Sequence, residues 1–494
     1  LGLLLGCSAT SVDRPNGAGA GSSGGAANTT AGSPSLGGGL VMPGSFARCG
    51  DDTLRCHKVD CPADSSPSTT SVSGVVYDPA GRVPLYNAVV YVVEPADQVT
   101  LGERAQCESC SAHFPKKGVL AAALTKADGS FRLTDVPVGK DVPLVIQLGK
   151  WRREIKIAEV VPCTDNPLAP DQTRLPRNST EGHLPKIAVT TGGSDALECL
   201  LKKIGVDVAE FTPDSGKGRV NLFSGYRAAK TIDVDGSSQP LRPAEELWAS
   251  SDRMLAYDMI LMGCEGEGSL WKPEPTPDKP PPLPRPVSMQ LEVRKYADLG
   301  GRIFGSHWHH RWINSDDTTP DNPYPPAGPP IASFAKAAGG VPDLTVSVDA
   351  SFPKGRAFSE WLLKVGASTT PGQLALRDVE HTVDAVNPTV ARRWIHGTDM
   401  EALQAGSSRL PDMVQYFSFT TPVGAAECGR MVFSDVHVSF GGGDDAAAPF
   451  PERCDASPDS ELSAQEKALE FMIFDLSSCI QKEDDEVRSP IIVK

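Results

Sequence analysis

The chain has 494 residues, and its 47 Lys and Arg against 62 Asp and Glu give a formal charge of −15. That length suits two or three domains, and the acidic balance excludes a general nucleic-acid binder, which needs a basic footprint. A hydrophobic share of 40% supplies a real core, while 47 Gly and 43 Pro predict that part of the chain is linker.

The chain opens Leu1-Gly2-Leu3-Leu4-Leu5-Gly6-Cys7, with neither Met nor a basic stretch. This reads as the truncated end of a signal-peptide apolar region over residues 1–7. Leu4-Leu5-Gly6-Cys7 resembles a bacterial lipobox. The resemblance implies that Cys7 is acylated after cleavage before it, and that two or three acyl chains hold the protein on a membrane. Ser8, where Asp would act as a retention signal, implies the outer membrane of a Gram-negative envelope. Residues 8–48 are Gly, Ser and Ala for the most part and predict a flexible tether.

Setting Cys7 aside leaves eleven of the 12 cysteines: Cys49, Cys56 and Cys61 in a Cys-rich segment over 49–70, then Cys107, Cys110, Cys163, Cys199, Cys264, Cys428, Cys454 and Cys479. In an oxidising compartment most of them pair and an odd one stays free. Cys49, Cys56 and Cys61 with His57, and Cys107-x-x-Cys110 with His113, have zinc-ligand chemistry, but their spacings match no standard finger. Disulfides are therefore the expectation, and no metal or other cofactor is assigned.

Residues 71–163 read as short strands, 71–77, 87–93 and 142–148 among them, separated by Gly, Pro and Asp turns. This pattern predicts an antiparallel β-sandwich. The order G-x-V-x-D-x-x-G, A-x-V-x-V, T-x-x-D-G-x-F-x-L and V-P-x-G resembles the carboxypeptidase regulatory-like domain. That resemblance implies a transthyretin-like fold, grouped with carbohydrate-binding-like sandwiches, acting as an accessory and not a catalyst. Trp151, among basic residues, reads as a packing anchor.

From residue 184 to 480 the pattern becomes α/β with a mainly parallel sheet. Strands are expected at 185–191, 206–211, 257–263 and 300–306, with helices at 196–204 and 289–299 and Ser194-Asp195 as the first cap. A last amphipathic helix starts near Ser463 and an acidic tail covers 481–494. Tyr257-Asp258 opening a strand, Tyr296-Ala297-Asp298-Leu299-Gly300-Gly301 and Gly305-Ser306-His307 resemble the class I glutamine amidotransferase-like superfamily, in its ThuA-like branch. Its glutaminases carry a nucleophilic cysteine where this chain has His307, which implies no glutaminase activity. Cys264 is expected to pair with Cys199.

Ligands of open α/β sheets sit at the carboxyl ends of the strands. The candidates there are His307, His309, Glu265, Asp435 and His437, Asp435 and His437 being expected on one face of a strand. His381 and His396 are expected on surface loops, and 483–486 as a solvated segment. Two readings follow. One is a cell-envelope lipoprotein acting as a binding or structural module, with a glycan or another envelope molecule as its ligand and a non-glutaminase amidotransferase-like domain. The other is a hydrolytic, carbohydrate-active enzyme using a His307/Glu265/His437 crevice.

Overall fold

The computed structural model describes residues 53–107, 110–266, 286–313, 330–438 (apart from 405, 408 and 426), 448–454 and 461–491. The lipobox, the tether and Cys49 lie outside the described residues.

Apolar β-branched runs build the first sheets. Val89–Val93, buried at every position, pairs antiparallel with Val119–Leu124 and Gly139–Leu148. Gly139–Leu148 continues to Trp151–Val160 and that strand to Gly182–His183, completing a five-stranded antiparallel sheet. A three-stranded sheet of Ser130–Thr134, Ser71–Val75 and Asp165–Pro167 shares a core with it. Val72, Phe131 and Leu133 from the smaller sheet join Val90, Val92, Leu144 and Ile146 from the larger. Trp151 is fully buried and meets Phe474 edge-on, with ring centroids 5.7 Å apart.

Among the described residues the largest sheet has eleven strands and is mixed. Its parallel block runs Phe211–Pro213, Val220–Ser224, Ile187–Thr190, Met259–Met262, Arg302–Ser306, Gly429–Ser434. Antiparallel strands Asp412–Thr421, Arg392–Thr398, Leu344–Val348 and Gln373–Leu376 extend it. The molecule is thus mostly β, with several sheets. The six strands of the parallel block end on one side, at Pro213, Ser224, Thr190, Met262, Ser306 and Ser434.

Some expectations change. The strand over 206–211 is instead a 3-10 turn at Val208–Glu210 followed by the short Phe211–Pro213. The Glu210 carboxylate accepts from Ser179 N–H at 2.6 Å and Arg219 N–H at 3.0 Å, which bends the chain there. Asp195 caps nothing; its helix runs Leu197–Lys203 from Ala196 without a side-chain cap. The acidic segment stays exposed at Asp484, Asp485 and Glu486, as expected, but it is tied to the body by ion pairs. Arg430 is fully buried and ion-pairs with Glu483, while Arg392 pairs with Asp484 and Arg356 with Glu486. A buried guanidinium needs compensating charge, and the tail supplies part of it.

The last helix, Ala464–Ser477, starts in a capping box between Ser463 and Glu466. It is buried on most of its surface, because Phe471 meets Tyr86, Trp361 and Trp394, and Phe474 meets Trp151. One continuous apolar core therefore reaches from Val72 to Leu476. A buried ion pair, Lys150 Nζ to Asp258 Oδ1 at 2.5 Å, crosses the same junction.

Disulfides join Cys61 to Cys163, Cys107 to Cys428 and Cys199 to Cys454, and Cys56 and Cys479 are disulfide-bonded as well. The Cys199–Cys264 pairing does not form. Cys199 faces the 448–454 segment, where the buried Glu198–Arg453 pair at 3.1 Å lies beside the disulfide. Cys107 reaches Cys428 and not its neighbour Cys110. Cys264 is the free cysteine among the described residues, and it is buried.

Candidate functional site

The site forms where three adjacent parallel strands end. Met259–Met262 runs into Gly263-Cys264-Glu265, Arg302–Ser306 into His307, and Gly429–Ser434 into Asp435-Val436-His437. The strand order reverses between Ile187–Thr190 and Met259–Met262, where a crevice opens in such sheets. Here the Gly192 loop fills it: a Cβ on Gly192 would lie 2.1 Å from the Cys264 carbonyl, and Ser194 N–H donates to that carbonyl at 3.0 Å. The polar cluster is displaced to the neighbouring strand ends.

His307 takes a φ of +40°, a left-handed backbone that a residue with a Cβ adopts rarely. It turns the chain from the strand into the 3-10 segment His307–Trp312 and is buried, not solvent-facing. Its Nδ1 lies 3.4 Å from Cys264 Sγ, and its Nε2 lies 3.8 Å from Glu380 Oε2. The His437 ring is 5.3 Å from the His307 ring, centroid to centroid. His437 Nε2 is buried with no hydrogen-bond partner among the described residues. Ligand atoms of Cys264, His307 and His437 all lie within 4.8 Å of one another.

Burial sets the protonation. It lowers His307 well below the usual histidine range, with His437, His310 and His309 adding to the effect, so the imidazole is neutral at pH 7. It lifts the Cys264 thiol to about 12, against the N–H groups of Gly266 and Trp308 that donate toward the sulfur. A thiol buried and shifted in this way lacks the exposure and lowered pKa of a reactive cysteine.

The other expected residues go elsewhere. Glu265 turns away from His307; its Oε1 accepts from Tyr226 N–H at 3.0 Å, and burial raises its carboxyl to about 8. His309 is structural, with Nε2 at 3.1 Å from the Gly263 carbonyl and Nδ1 accepting from Trp312 Nε1–H at 2.9 Å. Burial holds it down to about 4. Asp435 accepts from the Thr382 N–H and hydroxyl at 3.0 and 2.9 Å, so it and His437 share no strand face. The strand ends at Ser434, before either residue. His381 is fully buried on the strand Val379–Val386, between Asp399 at 2.9 Å and Asp384 at 3.1 Å. His396 lies on the strand Arg392–Thr398 and is half-buried.

Sequence reasoning missed Cys264 and Glu380 as members of the cluster. The odd cysteine count signalled a free thiol, though not which one. Glu380 sits in a stretch with no motif.

No protein-family profile matches the chain, and no curated protein matches it. Among solved structures, one match is a ThuA-like protein from Bacteroides uniformis, 10% identical, with a TM-score of 0.25. The match covers 54% of this chain and 86% of that one. Among the described residues no helix is long and apolar enough to cross a membrane.

Proposed function

We propose that this protein is an envelope lipoprotein, anchored through Cys7, that binds a ligand at the His307 strand end and does not hydrolyse glutamine. In this reading residues 71–163 are the carboxypeptidase regulatory-like sandwich and 184–480 the amidotransferase-like part. A glycan or another envelope molecule is the outer ligand. Three described disulfides support export, since such bonds persist in oxidising compartments.

The observation that carries the binding reading is the cluster itself. An imidazole occupies the strained turn, and the nearby Cys264 thiol is wholly buried and held protonated. A nucleophilic cysteine needs partial exposure and a lowered pKa. The orphaned His437 Nε2 beside them is a group in need of a partner.

Two assays test this. Cys7→Ser releases the chain from membranes; a variant that still sediments with membranes in high salt refutes the anchor. The full chain releases no ammonia from glutamine above the buffer rate; release that disappears in Cys264→Ser overturns the binding reading.

A further inference from the structure

We infer that Cys264, His307 and His437 form a three-ligand site for a thiophilic divalent metal of the zinc class, with Glu380 as the outer-shell partner of His307. This deepens the reading of the strand-end cluster as a binding site and rests on it, but not on the lipid anchor.

Four observations converge. The ligand atoms lie within 4.8 Å of one another, each on a residue that is at most 8% exposed. Zinc bonds of about 2.3 Å to sulfur and 2.0–2.1 Å to nitrogen, at tetrahedral angles, put S and N about 3.5 Å apart. The Cys264 Sγ to His307 Nδ1 distance is 3.4 Å. His437 Nε2 has no hydrogen-bond partner among the described residues, and a buried nitrogen left so costs stability unless something binds it. Cys264 Sγ accepts from Gly266 N–H at 3.4 Å and from Trp308 N–H, donors that would also steady a metal-bound thiolate.

The outer shell fits as well. Metal-bound histidines usually present their second nitrogen to a carboxylate or a carbonyl. His307 Nε2 faces Glu380 Oε2 at 3.8 Å, and that carboxylate remains 24% exposed, giving solvent and ions a way in. Gln465 Nε2–H donates to the His437 carbonyl at 2.6 Å and fixes that loop. Three protein ligands leave a fourth position for a water or an incoming ligand. A bound dication favours the thiolate form of a coordinating cysteine. A metal also accounts for the one cysteine that stays out of the disulfide network among the described residues.

The test is a cobalt and zinc titration of the metal-stripped full chain. One equivalent of Co(II) gives a thiolate-to-cobalt charge-transfer band, and one equivalent of Zn(II) removes it. Cys264→Ser abolishes the band, and Glu380→Gln keeps one equivalent but binds about 10–100-fold more weakly. Absence of the band in folded wild type overturns the proposal, as does a band that survives in Cys264→Ser. Where Cys264→Ser fails to fold, the wild-type stoichiometry decides: competition against a chromophoric chelator yields one tight zinc, and no tight zinc overturns the site. Ammonia release from glutamine with a cobalt band present refutes the non-glutaminase reading and leaves the metal site standing; no band and no ammonia does the reverse.

Discussion

Asp195 Oδ2 accepts the Ser306 hydroxyl at 2.5 Å, and its Oδ1 accepts Val438 N–H at 2.9 Å. One buried carboxylate thereby ties the residue before His307 to the residue after His437. Hydrogen bonds to charged groups contribute about 1.5–3 kcal/mol each. Asp195→Ala is expected to lower stability by about 3 kcal/mol in denaturant unfolding and to weaken zinc binding in step. Asp195→Asn keeps the bond to Val438 N–H and loses less on both counts. Equal losses for the two variants would show that Asp195 only fills space.

Asp78 and Glu470 make the junction between the first sheets and the last helix sensitive to pH. Burial lifts the Asp78 carboxyl from 3.8 to about 6, against the N–H groups of Arg82 and Val83, and lifts Glu470 well above the carboxylate range, with Asp78 adding to it. A carboxyl raised on folding binds its proton more tightly in the native state. Its contribution is therefore complete below pH 4 and is lost as pH climbs through about 6. Asp78→Asn keeps an acceptor for Arg82 N–H at 2.7 Å and removes the buried charge. It is expected to stabilise the protein by about 1–3 kcal/mol at pH 7 and by little at pH 4. Urea unfolding of both forms across that range checks this; a stability difference that does not change with pH contradicts it.

Cys199 and Cys454 are 255 residues apart in sequence, so their bond restricts a long loop of the unfolded chain. Replacing both with Ala is expected to cost about 2–5 kcal/mol. It also leaves the buried Glu198–Arg453 pair in a looser segment. A loss below about 1 kcal/mol in denaturant unfolding would mean that the ion pair and Arg453 Nη2–H to the Gly192 carbonyl hold the loop without it.

Thiol counting separates the free cysteine from the rest. Denatured, unreduced mature protein is expected to expose the thiol of Cys264, which native protein shields completely. Cys264→Ser removes that signal. Several reactive thiols in the denatured wild type would refute the disulfide network.

Local patterns were the legible part of the chain. Ser463 and Glu466 mark the start of the last helix, and the apolar runs at 89–93 and 259–262 mark strands, because caps and periodicity are written over a few residues. Cysteine connectivity was not legible, since Cys199 meets Cys454 only through the path of a sheet. His381 shows a signal that was there to use: Val379, His381 and Val383 are spaced two apart in one strand, and all three are buried. Glu265 was misplaced because a strand end fixes where a residue sits and not which way its side chain turns. The cluster at His307 was half legible. His307 and His437 follow from strand ends, whereas Cys264 and Glu380 join them through the folding of distant segments.

X-ray absorption at the zinc edge of the zinc-loaded full chain tests the central claim most directly. The account predicts one sulfur at about 2.3 Å and two imidazole nitrogens at about 2.0–2.1 Å in the first shell. A first shell made of oxygen and nitrogen alone, with no sulfur, would contradict it.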